Sequence, residues 1–431
     1  MAKPCTENNP ELCMKCGFCM SVCPVYKADR IESHVARGRN TLVNWAEKGI
    51  ISPDKSFREA LSFCILCHRC EQICPAGVPS TAITLKSREK AVKQHGLPLI
   101  QRLAYQGVLK HRSFMARILN TVSRLNGLFN KKAIPVRHLA DIYSSFSKGF
   151  YVPPLSDPFL SRSLQERTFP RKGDRPKGGV AFFPGCAFEF FFADIGLKTV
   201  EVMVNAGFMV VYPRGLSCCG MAVHNAGDVY TARSMAKQNI EILKDFDYIV
   251  SGCATCTSAL KDYPNWFPEN SLFQEKAKKV SAHTYDFSEF FYNQGIAPEH
   301  SYKEKITVTY HDPCHLRWNQ GIINQPRAIL KQIKGIEYIE MDGADTCCGL
   351  GGSFGITHRK ESLAIQKKKM NAIQNSGAQA VVTSCPGCMM QLTDGARRYD
   401  MGINVLHISE LLHNQRFSIR KKAVPEGHEE I

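Results

Sequence analysis

Several absences narrow the reading of this 431-residue chain before any motif is considered. No uninterrupted run of about 18 apolar residues occurs, so no helix is expected to span a membrane. No G-x-G-x-x-G follows a strand-like run and no Ser-His-Asp arrangement can be drawn, so neither a flavin or nicotinamide site nor a serine nucleophile is expected. The glycine-rich "GLGGSFG" at 349–355 lacks the nucleotide spacing and reads as a turn that hugs a bound group. The start, Met1-Ala2-Lys3-Pro4-Cys5, shows no cleavable apolar segment, and a secreted disulfide scaffold would be shorter. The thiols are therefore expected in a reducing, cytoplasmic setting, bound to metal.

Acidic residues are also short: 39 Asp and Glu stand against 55 Lys and Arg, a formal charge of +16. That excess alone would fit nucleic acid, but no aromatic-rich basic stripe or binding motif accompanies it, so no nucleic-acid partner is expected. The count treats every cysteine as neutral. A thiolate-bound [4Fe–4S] cube adds roughly −2, and several such groups would absorb much of the excess. A secondary, peripheral contact with the inner face of the cell membrane fits the remaining charge.

Cysteine is what the chain has in abundance, with 19 residues. Cys13, Cys16, Cys19 and Cys23 follow C-x2-C-x2-C-x3-C-P, and Cys64, Cys67, Cys70 and Cys74 repeat it. The first three thiols of each run fit three corners of one cube, while the fourth, before Pro24 or Pro75, points to the other cube. Cys13, Cys16, Cys19 and Cys74 are expected to hold one [4Fe–4S] cluster. Cys64, Cys67, Cys70 and Cys23 are expected to hold the second. Zinc would explain two cysteines at a time, but neither the third nor the proline-terminated fourth.

From residue 179 strand-like and helical stretches alternate. "GGVAFFPGC" leads to Cys186, "FMVVYP" to Cys218-Cys219-Gly220, and "YIVSG" to Cys253-Ala254-Thr255-Cys256. The pattern recurs 128 residues later as "KITVTYHDPC" to Cys314, "IEYIEM" to Cys347-Cys348-Gly349, and "AVVTS" to Cys385-Pro386-Gly387-Cys388. Two duplicated α/β modules are expected, each presenting five cysteines at strand C-terminal ends. Each CxxC opens a predicted helix whose N-terminus favours thiolate. Gly220 and Gly349 are expected to let the backbone turn tightly. Five thiols exceed the needs of an ordinary cube. One or two further iron–sulfur centres of noncubane shape are expected here, with zinc or a dithiol/disulfide as the alternative.

The motif Cys-x31-Cys-Cys-Gly-x32-Cys-x2-Cys, repeated as Cys-x32-Cys-Cys-Gly-x35-Cys-x2-Cys, resembles the CCG domain of heterodisulfide reductases. A two-cluster ferredoxin unit followed by paired CCG modules is similar to three known proteins. They are the glycolate oxidase iron–sulfur subunit, the C subunit of anaerobic glycerol-3-phosphate dehydrogenase, and the D subunit of heterodisulfide reductase. The stretches "CATCTSALKDYP", "YHDPCHLR" and "CPGCMMQLTDGARR" look closest to the glycolate-oxidase branch. The resemblance implies an electron-transfer subunit of an anaerobic respiratory oxidoreductase. Its partners would be a flavoprotein 2-hydroxy-acid dehydrogenase of glycolate or lactate type and a quinone-reducing subunit or membrane cytochrome b. Both CCG motifs are complete here, as in the catalytic subunits of heterodisulfide reductases. The alternative reading is therefore a catalytic subunit that is coupled to a membrane cytochrome and acts on a thiol or disulfide at the CCG cysteines.

The expected fold is α+β. A mainly α-helical two-[4Fe–4S] ferredoxin-like domain spans 1–95, a helical segment and linker 96–178, the first CCG module 179–300, and the second with a polar tail 301–431. In 96–130 the residues Leu97, Ile100, Leu103, Val108, Phe114, Ile118, Leu119, Val122 and Leu125 recur at roughly helical spacing among basic residues. They are expected to pack over the ferredoxin unit or to dock on a membrane partner. Residues 153–178 read as a linker, and "RKK" at 420–422 as the start of a solvated tail. His224, His311, His315 and His358 neighbour CCG cysteines and are read first as hydrogen-bonding partners, with ligation or proton donation as the alternative. Cys5 falls outside every motif.

Overall fold

The computed structural model describes residues 8–112, 114, 116, 149–170, 175–296 and 301–413. Cys5, Ile118, Leu119, Val122, Leu125 and the "RKK" tail lie outside them.

The N-terminal unit is helical because its apolar residues are few and spaced for short amphipathic turns. Asp54 caps helix Lys55–Ser62 by accepting from the Phe57 N–H at 2.9 Å, and that helix buries Phe57, Ala60 and Leu61. Pro24 sits at the first turn of Pro24–Asp29, where its missing N–H costs nothing, so Cys23 ends one helix and begins the next. Helix Ala36–Glu47 packs on helix Ser80–His95, pinned by Asn40 donating to Ser80 Oγ at 2.9 Å.

Two parallel sheets follow. The first contains β1 (Arg167–Thr168), β2 (Gly179–Phe182), β3 (Met209–Val211), β4 (Ile249–Ser251) and β5 (Thr284–Asp286) in the order β1-β3-β2-β4-β5. The second contains β6 (Ser301–Tyr310), β7 (Lys334–Tyr338), β8 (Ala380–Thr383) and β9 (Asn404–His407) in the order β7-β6-β8-β9. Leaving aside β1, which runs antiparallel to β3, the strand orders are identical, and every other pairing is parallel. The duplication read from the cysteines is thus a duplication of topology. The chain reverses direction of travel beside β2 in the first sheet and β6 in the second, and α/β layers form their sites in the crevice at such a point.

Two expectations are corrected. The stretch read as a linker supplies helix Leu160–Ser163 and the edge strand β1 of the first sheet. The segment after residue 96 does not simply cover the ferredoxin unit. Three of its hydrogen bonds run to the first CCG module, with Gln106 donating to Asp228, Ser217 Oγ donating to the Lys110 carbonyl, and Arg112 donating to the Gly185 carbonyl, and Tyr105 bonds Ser353 of the second.

Candidate iron–sulfur and CCG site

Both ferredoxin loops take the same backbone path. Lys15 and Gly17 have φ of 57° and 88°, and Leu66 and His68, at the matching offsets, have 51° and 59°. Left-handed conformation at leucine or histidine costs energy, and it persists only where the surroundings impose it. His68 is held there by Nδ1 against Glu71 at 2.8 Å, and Glu71 in turn accepts from the Thr81 hydroxyl at 2.6 Å. These turns wrap each loop around its own thiols.

Cys13, Cys16, Cys19 and Cys74 line one small pocket with Gly17, Ala36 and Pro75, and Cys70, expected at the other cluster, lines it too. Cys23 is buried elsewhere, beside the second loop. The guanidinium of Arg39, 3% exposed, lies within electrostatic reach of Cys64, Cys23, Cys70 and Cys67 together. A buried arginine needs an anionic partner, and four thiolates supply one. Burial pushes the Cys67 thiol up to about 12. Sequence reasoning missed Arg39, although Val35, Arg39 and Val43 recur every fourth residue on one face, where an arginine is out of place unless an anion lies beneath it.

The CCG cysteines do not form two separate nests. All ten line a single cavity of about 1140 Å³, together with Cys64 of the ferredoxin unit. Nine of them form a continuous ladder of sulfur contacts. It runs from Cys186 through Cys218, Cys219, Cys256 and Cys253, crosses to Cys385, and continues through Cys388 and Cys348 to Cys347. Cys348 and Cys388 are 3.6 Å apart. Cys314 stands off the ladder and faces Cys67 of the ferredoxin unit as well as Cys348 and Cys385.

Local structure sets this convergence. Cys253 and Cys385 are the N-caps of helices Ala254–Trp266 and Pro386–Arg398, directly after β4 and β8. The two strand ends abut, with the Ala254 N–H donating to the Ser384 carbonyl at 3.0 Å and His407 Nε2 against the Gly252 carbonyl at 2.7 Å. Gly220 and Gly349 have φ of 82° and 98°, and a Cβ on Gly349 would meet the Ser362 carbonyl oxygen at 2.6 Å, so only glycine fits the turn.

The ferredoxin unit closes the cavity. Arg88 donates to the carbonyls of Asn225, Leu61 and Cys64, and Arg69 pairs with Asp345 at 2.9 Å. Cys23, Val25, Val35, Phe63 and Ile65 share one apolar cluster with Cys347, Phe354 and Ile365 of the second module.

Burial pushes His224 and His315 down to about 4, so both are neutral near pH 7. His224 stacks on Trp266 at 4.1 Å, and His315 meets the Thr255 hydroxyl at 3.1 Å. His358 bonds Ser62 Oγ at 2.8 Å and lies tilted against Phe63, joining two units at the lining of the cysteine cavity. His311 is buried against Cys348 and Cys388.

The donor chemistry fits iron–sulfur ligation. Soft thiols are gathered in water-poor walls, with buried Arg39 and Lys369 as counter-charges. Cys218, Cys348 and Cys385 are held well below the ordinary thiol range, foremost by hydrogen bonds from Cys186, Cys347 and Cys253 respectively, while the other six thiols of the ladder are pushed above it, so thiolate is favoured at three positions.

Helical cysteine loops packed against a paired cysteine-rich α/β core define an iron–sulfur protein of the electron-transferring oxidoreductases. Family profiles agree: a 4Fe-4S dicluster domain matches residues 10–78, and a Cysteine-rich domain, CCG, matches 180–261 and 308–393. The chain is similar to the probable glycolate oxidase iron-sulfur subunit of Bacillus subtilis strain 168, 30% identical over 93% of this chain and 92% of that one. Lactate utilization protein A of the same organism is 30% identical over 55% of this chain and 99% of its own length. The B subunit of fumarate reductase (CoM/CoB) from Methanothermobacter marburgensis is 29% identical over 93% and 71% respectively. The chain belongs to the family of the glycolate oxidase iron–sulfur subunit, in which a dicluster domain precedes two CCG domains. No described helix is long and apolar enough to cross a membrane.

Proposed function

We propose that this chain is the electron-transfer subunit of an oxidoreductase complex, passing electrons between a flavoprotein 2-hydroxy-acid dehydrogenase of glycolate or lactate type and a quinone or membrane acceptor. Cys13, Cys16, Cys19 and Cys74 would hold one [4Fe–4S] cluster, and Cys64, Cys67, Cys70 and Cys23 the other. Cys186, Cys218, Cys219, Cys253 and Cys256, and likewise Cys314, Cys347, Cys348, Cys385 and Cys388, would hold further centres of noncubane shape. Clusters bound there would supply one-electron storage. The division into 1–95, 96–178, 179–300 and 301–431 goes with this reading, with β1 counted to the first module.

The observation that carries the proposal is the contact between the two kinds of cysteine. Cys67 lies within electrostatic reach of Cys314 and Cys347, and Cys64 shares the CCG cavity. The protein's part is to hold thiolates in place, to exclude water with Phe63, Ile65 and Phe354, and to balance charge through Arg39 and Lys369. Cys16 is exposed beside exposed Met14 and Phe18, which makes that end the port for a partner.

A second reading, thiol or disulfide reduction in the manner of heterodisulfide reductase, is favoured by one feature. The ten-cysteine cavity runs outward between Arg58, His95 and His358, leaving room for an organic ligand. Iron, sulfide and zinc analysis with EPR on anaerobically purified protein tests the ligand sets, and eight irons or more per chain are expected from two cubes. Reduction by glycolate or lactate only in the presence of a flavoprotein supports the relay. Heterodisulfide reduction by the isolated chain with an artificial donor would replace it with the second reading.

A further inference from the structure

The two CCG modules are superposable in their backbone hydrogen bonds, and this exposes a chemical difference between them. Phe183 N–H donates to the Val250 carbonyl at 2.9 Å, and His311 N–H donates to the Val382 carbonyl at 2.9 Å. Phe183 follows β2 and His311 follows β6, each three residues before its module's first cysteine. Both side chains are buried, at 0% and 1% exposure. Phe183 needs no partner there and packs in a core containing Cys218, Cys219 and Cys256. His311 does need one, yet no nitrogen or oxygen pairs with either ring nitrogen, and the Cys348 sulfur is the polar atom it faces.

One imidazole nitrogen lies within 4.8 Å of the sulfurs of both Cys348 and Cys388. Those sulfurs are 3.6 Å apart, close to the ~3.8 Å edge that two ~2.3 Å metal–sulfur bonds make at a tetrahedral angle. A buried imidazole whose nearest polar neighbours are two sulfurs at such an edge is the geometry of a ligand before its metal.

We propose that His311 is a nitrogen ligand of the centre in the second module, which is therefore a mixed thiolate–imidazole site, while the first module, with Phe183 in the same place, is all-thiolate. The proposal rests on the reading that the second module holds a metal centre. Where the imidazole stands in for one of the second module's five thiolates, it removes negative charge from the site and raises its reduction potential relative to an all-sulfur counterpart. The second module would then be the more easily reduced of the pair, and it is the one that faces Cys67.

The test uses the full chain purified without oxygen from cells fed isotopically labelled histidine. Elemental analysis gives the metal content, and pulsed EPR of the reduced state, or X-ray absorption at the edge of the bound metal, reads its neighbours. A directly bonded histidine nitrogen is expected in the wild type and is lost in H311F, which copies the first module, and in H311N. Both variants are expected to lose metal from the second module to a chelator 10- to 100-fold more readily, with the first module unchanged. A metal-loaded second module with only sulfur neighbours overturns the proposal and leaves the proposed function standing. A second module that binds no metal overturns both. The wild-type spectrum alone decides the point if neither variant folds.

Discussion

The first and second CCG modules share strand order, the order of their cysteine motifs and hydrogen-bond register, yet they meet the rest of the chain differently. The second module receives the ferredoxin unit: Arg69 pairs with Asp345, Lys368 donates to the Lys27 carbonyl at 2.7 Å, and Cys314 and Cys347 face Cys67. The first module is held at the side by Arg88 and by the segment after residue 96, with Cys186 at the far end of the sulfur ladder. Duplication supplies two equal halves, and docking makes them unequal. Under the proposed function, the half nearest the ferredoxin loops would take up electrons first and the other would be the terminus.

The sharpest way to break this asymmetry is to remove ligands on either side of it. Cys67→Ser should abolish reduction of both modules by electrons entering at the Cys16 end. A loss on the order of 10³-fold is expected, because a serine hydroxyl is a poor ligand for a soft iron–sulfur site. Cys256→Ser, in the first module, should leave reduction of the second within about twofold, since Cys256 contacts Cys219 and Cys253 but nothing of the ferredoxin unit. Stopped-flow reduction followed by freeze-quench EPR reads both. Equal losses in the two variants would mean that the modules are not in series.

A smaller effect should follow from Arg39. Arg39→Met keeps the volume of the buried stem and removes the charge facing Cys64, Cys23, Cys70 and Cys67. A unit charge ~7 Å away at an effective dielectric of ~20 is worth about 2 kcal/mol, on the order of 100 mV for one electron. The cluster on that side should become harder to reduce by that order, and the Cys13 cluster should scarcely move. Redox titration of the variant checks it, and an unchanged potential would mean that Arg39 acts only through its bond to the His34 carbonyl.

How far the sequence foretold this comparison depended on what a linear pattern can carry. The cysteine spacings and the apolar runs before them revealed the α/β class and the duplication, because each unit is a local strand–loop–helix. The strands β5 (TYD) and β9 (NVLH) are no shorter than β3 and β8, but neither is an uninterrupted apolar run leading to a cysteine motif, and they went unread. β1 lies among Pro, Ser and Arg, where composition argues for a loop, and it is a strand only because Val210 and Val211 offer it an edge. The meeting of Cys253 with Cys385 has no signal in spacing at all, for it arises when the ends of two separate sheets pack together. Ligand types were therefore legible, whereas their merging into one cavity was not.

The last difference between the modules lies at equivalent helix caps. Asp286 caps Phe287–Asn293 and His407 caps Ile408–Leu412, each in a capping box completed by Glu289 or Glu410. Burial pushes Asp286 up to about 7 and His407 down to about 4, so the fold prefers both neutral. The two act in opposite directions on stability. Between pH ~4 and ~7 the folded chain binds more protons at Asp286 than the unfolded chain does, so its contribution is present at low pH and is lost as pH rises. At His407 the unfolded chain binds more protons between ~6.5 and ~4, so stability is lost as pH falls through that window. Asp286→Asn keeps a good cap and should gain on the wild type progressively from pH ~4 to ~7, by roughly 1–2 kcal/mol. His407→Gln carries a fixed cost for the contact to Gly252, but that cost should shrink as pH falls from 6.5 toward 4. Denaturation of the anaerobic protein across this range measures both slopes. Two pH-independent differences would show that neither cap is held neutral by the fold, and that the modules do not differ at this joint.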